Sequence, residues 1–220
     1  MMSFFVTGTD TDAGKTHVTR ALLLAARTRG LACAGYKPIE SGCPRSHAPG
    51  HDATALAAAA GTAPLTTYTF VPAIAPHLAA RRAAVTIDVQ RICEQASQLQ
   101  QASEFFLVEG AGGFLVPLSA TSSTADLATE LQLPLILVAA NRLGTINHTL
   151  LTLEAARHRN LQIRAVILSE VIAGAGHGLE NQEAIEEYGQ VPVFELPHCT
   201  GDTEMAHAAQ PILAALRRPR

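Results

Sequence analysis

The residues "GTDTDAGKT", Gly8–Thr16, decide how the rest of the chain is interpreted. They follow Ser3–Thr7, an apolar run that predicts a buried strand, and they lead into Lys15–Thr28, which predicts a helix. A glycine-rich loop in this position lets backbone N–H groups turn towards phosphate, and the helix N-terminus adds partial positive charge. The segment is therefore interpreted as a Walker A loop that binds the phosphates of a nucleotide.

The spacing of this loop differs from the usual motif. Five residues separate Gly8 from Gly14, whereas the usual pattern has about four. Lys15 is expected to reach the β and γ phosphates, and the Thr16 hydroxyl to bind Mg²⁺. A phosphate contact and a solvent-facing carboxylate are both open for Asp12. The loop residues expected to bind ATP are Asp12, Ala13, Gly14, Lys15, Thr16 and His17, the last through its backbone.

Short apolar runs alternate with amphipathic segments along the chain. Further strands are predicted at Ala32–Tyr36, Glu104–Gly110, Leu133–Asn141, Arg164–Glu170 and Val191–Leu196, and helices near Leu56 and at Ile87–Gln101, Thr124–Leu131, Ile146–His158, Leu179–Tyr188 and Met205–Leu216. Strands that are apolar throughout are typical of a parallel sheet covered on both faces. The prediction is one P-loop NTPase-like α/β domain, residues 1–220, with a doubly wound, mainly parallel sheet and helices on both faces. The segment "PAIAPHLAARRAA" from Pro72 breaks the alternation, and we expect it to be irregular and near the site.

Composition narrows the class of protein. The chain has 220 residues, 48% of them hydrophobic, and a formal net charge of −3, which argues against nucleic acid as a partner. The apolar run Leu133–Ala140 is too short to span a bilayer, and no secretory signal is visible, so a cytoplasmic protein without a membrane partner is expected. The cysteines are Cys33, Cys43, Cys93 and Cys199; without a C-x-x-C pair they are expected to be free thiols.

Polar residues follow the predicted strands where ligands bind in open α/β sheets. Lys37 and Ser41 come after the second strand, and Glu109 is the last residue but one of the strand "EFFLVEG". A carboxylate after so apolar a run needs a cation or a metal, so Glu109 is predicted to serve Mg²⁺. Asp52, in "HDATAL", alone favours a helix N-cap, but together with Thr16 and Glu109 it becomes a candidate metal ligand.

Four stretches together resemble one family. They are "FVTGTDTDAGKT", "GYKPIESG", "VEGAGGFLVPL" and "LGTINHTLLTLEA", spread from residue 4 to about residue 155. Their combination resembles the dethiobiotin synthetases, which use ATP and CO₂ to close a ureido ring on 7,8-diaminononanoate in biotin biosynthesis. The resemblance implies ATP as co-substrate, Mg²⁺ as cofactor and a homodimer with the site at the subunit interface. The chemistry fits, because an anionic carbamate must approach an anionic phosphate and the positive groups offset their repulsion.

The resemblance also implies a role for individual residues. Lys37, Lys15 and Thr11 are implied as catalytic, with Lys37 on the carbamate and Thr11 and Ser41 on the reacting end of the substrate. Thr16, Asp52 and Glu109 would hold the metal directly or through water, and Gly110, Ala111 and Gly112 would let the backbone approach ATP or substrate. Asn147 would bind the carboxylate tail of a substrate held by the partner subunit, or else cap the start of a helix.

The nucleotide base is the least determined part of this interpretation. Family members have an asparagine that reads the adenine edge after the penultimate strand, and Ser169 stands at that place here. Serine is shorter and offers a different set of donors and acceptors, so base preference is left open while ATP stays the expected nucleotide. Pro197 and His198, in "ELPHC", occupy the position of a loop that flanks the base.

Three rival functions are weighed against this one. A P-loop ATPase that acts as a partition or targeting switch would carry an extra lysine early in the loop, where Asp10 or its neighbour stands. The synthetase half of a corrinoid amidotransferase would need a further domain with a cysteine nucleophile. A third rival is a nucleotide sensor without turnover, against which Lys37 and Ser41 argue to a small extent.

Overall fold

The structure, a computed structural model, describes residues 1–217, so the last three residues of the predicted domain lie outside it. Its strands are β1 (Met2–Gly8), β2 (Cys33–Tyr36), β3 (Ile39–Ser41), β4 (Tyr68–Phe70), β5 (Phe105–Gly113), β6 (Leu135–Ala140), β7 (Ile163–Ser169) and β8 (Val193–Leu196). Its helices are α1 (Lys15–Thr28), α2 (His51–Ala60), α3 (Pro76–Arg82), α4 (Val89–Gln101), α5 (Thr124–Leu131), α6 (Thr145–Arg157), α7 (Asn181–Gly189) and α8 (Asp202–Leu216).

Six of the strands form one parallel sheet, in the order β2-β5-β1-β6-β7-β8. Alternate residues of each strand enter opposite cores: in β5, Phe106 and Val108 pack with α3–α7, while Phe105 and Leu107 pack with α1, α2 and α8. Helices therefore cover both faces, and the predicted doubly wound α/β fold is confirmed. Within residues 1–217, no helix is both long and apolar enough to cross a bilayer.

The register of the central strands determines which motifs meet. Tyr36 of β2 pairs with Val108 of β5, so Lys37 and Glu109 leave neighbouring strands side by side. Glu109 pairs with Val6 of β1 on its other edge, two residues before the phosphate loop begins. All three segments end at the same edge of the sheet, since parallel strands share the direction of their carboxyl ends.

The segment after β2 differs from the prediction. The expectation of an irregular stretch from Pro72 was wrong in part, because that stretch contains helix α3. Pro76 opens α3, where its missing N–H costs nothing because the first N–H groups of a helix have no partner within it. A second parallel sheet, β3 with β4, was also not predicted; each of its strands has only three residues, too few to show a periodicity.

Candidate active site

The side chain of Lys37 lies at the centre of the site. Its Nζ donates to Glu109 Oε1 at 2.7 Å and to the Gly110 carbonyl at 3.2 Å, and it forms an ion pair with Asp52 Oδ2 at 2.8 Å. Lys37 is 4% exposed and Glu109 is fully buried. The Thr16 hydroxyl completes the group by donating to Glu109 Oε1 at 2.8 Å. We call Lys37, Asp52, Glu109 and Thr16 the Lys37 cluster.

The charges in the Lys37 cluster support one another. Burial acts to lower the pKa of Lys37, but Glu109 and Asp52 outweigh it and hold that pKa above its usual range. Burial acts to raise the pKa of Asp52, but the ion pair with the Lys37 ammonium outweighs it and holds that pKa below its usual range. The cluster therefore keeps a cation and its carboxylate partner charged in a buried place.

Lys15 is the second cation of the site, and Lys15 and Lys37 are the only two lysines in the chain. Its Nζ donates to the Asp10 carbonyl at 2.9 Å, so the side chain folds back over the phosphate loop. Burial, followed by repulsion from Lys37, lowers the pKa of Lys15 to about 8. The Thr16 hydroxyl and the Lys37 ammonium both bind Glu109 Oε1, and Lys15 directly precedes Thr16, so the structure brings together both cations on which the predicted chemistry depends.

The oxygen atoms of the Lys37 cluster fit a hard divalent cation. Glu109 Oε2 is buried and has no hydrogen-bond partner among the described residues. Two carboxylates and a hydroxyl are the type of ligand that Mg²⁺ takes, with water and phosphate oxygens completing its shell. Among residues 1–217 no group of three or more His, Cys, Asp or Glu side chains could enclose a metal, so a metal here would depend on Thr16 and the nucleotide for further ligands.

A cavity of about 380 Å³ opens beside the Lys37 cluster. Its lining includes the predicted residues Thr11, Lys37, Ser41, Asp52, Ala111 and Gly112. Residues 73–76, from the segment that was expected to lie near the site, line it as well. A larger groove of about 1020 Å³ lies by α3 and α4 but contains no residue of the phosphate loop or of the Lys37 cluster, so the smaller cavity is the candidate substrate site.

A second group surrounds the start of α1. The His17 ring contacts the Pro197 carbonyl, with 3.3 Å between Nε2 and oxygen, and it lies parallel to the His198 ring with 6.5 Å between centroids. We call His17, Pro197 and His198 the His17 cluster. Burial lowers the pKa of His17, and the contact with Pro197 acts in the opposite direction. The side chain of His17 thus has contacts of its own, beyond the backbone role expected from the sequence.

Ser169 lies directly against the phosphate loop. A Cβ at Gly14 would come within 2.4 Å of Ser169 Oγ, and Gly14 has φ 93°, so glycine is required at this position on two grounds. Ser169 Oγ is buried and has no hydrogen-bond partner among the described residues. The predicted base residue therefore stands at the loop with an unused donor and acceptor.

Two predicted residues lie apart from these groups. Asn147 is exposed and sits inside α6, whose N-cap is Gly144, so the capping interpretation of Asn147 was wrong. Asp12 is also exposed, with a left-handed backbone at φ 57°.

The alternative interpretation of Asp52 as a helix N-cap was wrong as well, because Gly50 is the N-cap of α2.

The sequence analysis missed Glu40. Its carboxylate is 4% exposed and accepts hydrogen bonds from the N–H groups of Gly50, Asp52 and Ala53 at the start of α2. Glu40 is ten residues from the helix that it contacts, so no local capping pattern could have indicated it.

Fold and site together define a P-loop nucleotide-binding protein. A family model described as an AAA domain matches residues 2–199. Among similar proteins, the ATP-dependent dethiobiotin synthetase BioD of Aeromonas hydrophila is 38% identical over 211 residues, covering 92% of this chain and 93% of that protein. The BioD of Anoxybacillus flavithermus is 41% identical over 207 residues, covering 91% and 93%. The chain belongs to the ATP-dependent dethiobiotin synthetase family.

Solved structures agree on the fold. The septum site-determining protein MinD of Pyrococcus horikoshii, solved with Mg-ADP, superposes with a TM-score of 0.57 at 16% identity, covering 98% of this chain and 94% of that one. At this identity the likeness concerns the fold alone.

Proposed function

We propose that the chain converts 7,8-diaminononanoate, CO₂ and ATP to dethiobiotin, ADP and phosphate. The observation that carries the proposal is the buried ammonium of Lys37, held between Glu109 and Asp52 and close to Lys15 of the phosphate loop. Such a pair of cations suits a reaction that joins two anions, and membership of the dethiobiotin synthetase family supplies the substrates.

The proposed chemistry has three steps. One amine of the substrate attacks CO₂ and loses a proton, giving a carbamate. A carbamate oxygen attacks the γ-phosphorus of ATP, and the bond to the β-γ bridging oxygen breaks to release ADP. The second amine attacks the carbonyl carbon of the resulting carbamic–phosphoric anhydride, loses a proton and expels phosphate as the ring closes.

Lys37 and Lys15 act on the two anionic partners. The three donors of the Lys37 ammonium are taken up by Glu109, Asp52 and the Gly110 carbonyl, so the carbamate must replace one of them. The Gly110 contact is the longest at 3.2 Å, and we propose that it is the one replaced. Lys15 leaves the Asp10 carbonyl for the β and γ phosphates, while Thr11 and Ser41 orient the diamine from the cavity wall.

The remaining site residues hold the nucleotide and its metal. Mg²⁺, held by Thr16, Asp52 and Glu109 directly or through water, would neutralise charge on the phosphates when bound. The loop backbone, His17, the segment Gly110–Gly112 and the group around Ser169, Pro197 and His198 would surround the rest of ATP.

We propose further that the enzyme is a homodimer in the cytoplasm, with Asn147 acting on substrate bound to the partner subunit. Asn147 is exposed and does not line the cavity formed by its own chain within the described residues. Leu115, Leu143 and Leu151 are 56%, 88% and 58% exposed, and burial of these side chains would favour association. Light scattering should give twice the chain mass, and Asn147→Ala should raise the KM for the diamine; a monomer with full activity would contradict both parts.

One assay separates this function from its rivals. The chain is incubated with Mg²⁺, ATP and ¹³C-bicarbonate, with and without the diamine, and dethiobiotin and phosphate are measured. We expect one labelled ring per phosphate, and little phosphate when the diamine is omitted. ATP hydrolysis that ignores the diamine, without any labelled product, would point to a switch ATPase, and bound ATP without turnover would point to a sensor.

A further inference from the structure

The N-terminal turn of α2 is held by a side chain from outside the helix. Its N-cap, Gly50, has no side chain with which to satisfy the first N–H groups. Glu40, in β3, supplies the acceptors instead: Oε1 accepts from the Asp52 N–H at 2.6 Å, and Oε2 accepts from the Gly50 and Ala53 N–H groups at 3.1 and 3.2 Å. A carboxylate bound by three N–H groups at a helix N-terminus is a charge-assisted arrangement that also matches the helix dipole.

The same turn presents Asp52 to the Lys37 cluster. The backbone of Asp52 is bound by Glu40, and its carboxylate is bound by Lys37, only three residues before Glu40. One short segment therefore holds Asp52 from two sides. Glu40 is 4% exposed, and a Cβ on Gly50 would come within 2.4 Å of its Oε1, so the carboxylate has little room to move.

We propose that Glu40 is a positioning residue that fixes the first turn of α2 and, through it, the Asp52 carboxylate for Mg²⁺–ATP. This inference rests on the proposed function for the role of Asp52. Without Glu40, the first N–H groups of α2 lose their acceptor, and the first turn of the helix becomes less ordered. The Asp52 carboxylate is then held in place only by its ion pair with Lys37. Loss of a residue that orients a metal ligand typically costs about 10- to 100-fold in metal affinity.

The primary test is Glu40→Ala, with Asp88→Ala as the matched control. Asp88 is a carboxylate that caps α4 through the N–H groups of Gln90 and Arg91, and α4 carries no residue of the site. In Glu40→Ala we expect the Mg²⁺ concentration for half-maximal thermal stabilisation by ATP to rise about tenfold, and that for half-maximal turnover to rise equally. Asp88→Ala should lower the melting temperature without moving either Mg²⁺ midpoint.

Amide hydrogen exchange provides a readout that needs neither metal nor turnover. In Glu40→Ala the Asp52 and Ala53 amides should exchange about tenfold faster or more, as expected for loss of a charged hydrogen-bond acceptor. In Asp88→Ala only the start of α4 should change. Equal Mg²⁺ midpoints in Glu40→Ala and wild type, or an equal shift in Asp88→Ala, would overturn the proposal.

A second variant supplies the N-cap of α2 from position 50 of the helix itself. Gly50 has extended backbone angles that aspartate can adopt, so Glu40→Ala/Gly50→Asp provides a local N-cap in the space that Glu40 leaves. Gly50→Asp alone should be damaging, because its Cβ collides with Glu40, while the double variant should recover the wild-type Mg²⁺ midpoint to within about threefold. Recovery of the midpoint in the double variant relative to Glu40→Ala would show that the missing helix cap caused the loss. Glu40→Gln serves if Glu40→Ala does not fold.

Dethiobiotin synthesis by the chain and the positioning role of Glu40 are tested by different outcomes. A wild-type chain that makes no dethiobiotin but whose Mg²⁺–ATP stabilisation still depends on Glu40 would refute the proposed function and leave the positioning role intact. A wild-type chain that makes dethiobiotin, with a Glu40→Ala variant of unchanged Mg²⁺ midpoint, would do the reverse.

Discussion

In the Lys37 cluster, the buried side chains of Lys37 and Glu109 bind each other at 2.7 Å, and Asp52, whose side chain is 31% exposed, binds Lys37 at 2.8 Å. The His17 cluster, in contrast, is joined by one contact of 3.3 Å and a pair of rings 6.5 Å apart. Loss of one member of the Lys37 cluster is costly when it leaves Lys37 or Glu109, which are both buried, without its charged partner. The His17 cluster is partly solvated, and water can replace what is lost. The two clusters should therefore respond very differently to substitution.

The largest expected effect follows from Lys37→Ala. Removal of the ammonium leaves Glu109 and Asp52 without their shared cation and removes the proposed donor to the carbamate. We expect kcat for ureido-ring formation to fall about 10²- to 10³-fold, with ATP still bound through the phosphate loop. Steady-state kinetics with mass spectrometry of the product, beside an ATP binding titration, measures both.

A surface ion pair serves as the control for Lys37→Ala. Asp202 binds Arg20 at 2.9 Å, and the Asp202 side chain is 64% exposed while that of Arg20 is partly exposed, at 33%. Asp202→Ala should leave kcat within about twofold of wild type, since exposed pairs contribute little. A Lys37→Ala enzyme that keeps near-normal turnover would remove Lys37 from its proposed role and cancel the contrast between the clusters.

A smaller effect is expected from the titration of Lys15. Its pKa is lowered to about 8 in the free protein, and bound phosphates favour the charged form, so ATP binding above pH 8 must be coupled to proton uptake. Lys15 is charged below that pH and neutral above it, and affinity should therefore fall as pH rises, by up to about tenfold per unit. The opposite trend would show that Lys15 does not gain its proton on binding.

Calorimetry isolates this proton. Titrations of ATP in buffers of different ionisation enthalpy should show uptake of about half a proton per nucleotide at pH 8 and nearly one at pH 9. ATP itself is fully ionised in this range, so the uptake belongs to the protein. No dependence on the buffer at pH 8 would contradict the lowered pKa of Lys15.

The contrast between the clusters also explains what the sequence could predict. Strand, glycine loop and GKT triplet predicted the fold and Lys15, and the apolar run before Glu109 required a partner for its carboxylate. The first of these predictions depends on a local motif, and the second depends on the free-energy cost of burying a charge. The pairing of Lys37 with Glu109 depends on the register between β2 and β5, in which Tyr36 lies beside Val108.

Other features have no such signal. Glu40 caps a helix ten residues away, and its role depends on where β3 lies relative to α2. The contact between His17 and Pro197 joins residues that are 180 positions apart in the sequence. A neutral imidazole can be partly buried at little cost in free energy, so it does not require a charged partner. No sequence pattern therefore indicates the contact. Tertiary placement, rather than local propensity, decides both.

The smallest expected effect concerns His198. Its ring is exposed and stacks on His17 beside the start of α1, so His198→Ala removes one ring contact and leaves the phosphate loop unchanged. We expect the Kd for ATP to rise about threefold, within the range for one aromatic contact, with kcat unchanged.

The matched control is His77→Ala, because His77 contacts the Pro117 carbonyl at 3.2 Å through a ring nitrogen, much as His17 contacts Pro197. If His198→Ala and His77→Ala leave the Kd for ATP equally unchanged, the His17 cluster takes no part in holding the nucleotide; if His198→Ala reduces kcat as strongly as Lys37→Ala, the two clusters are not as different as their contacts indicate.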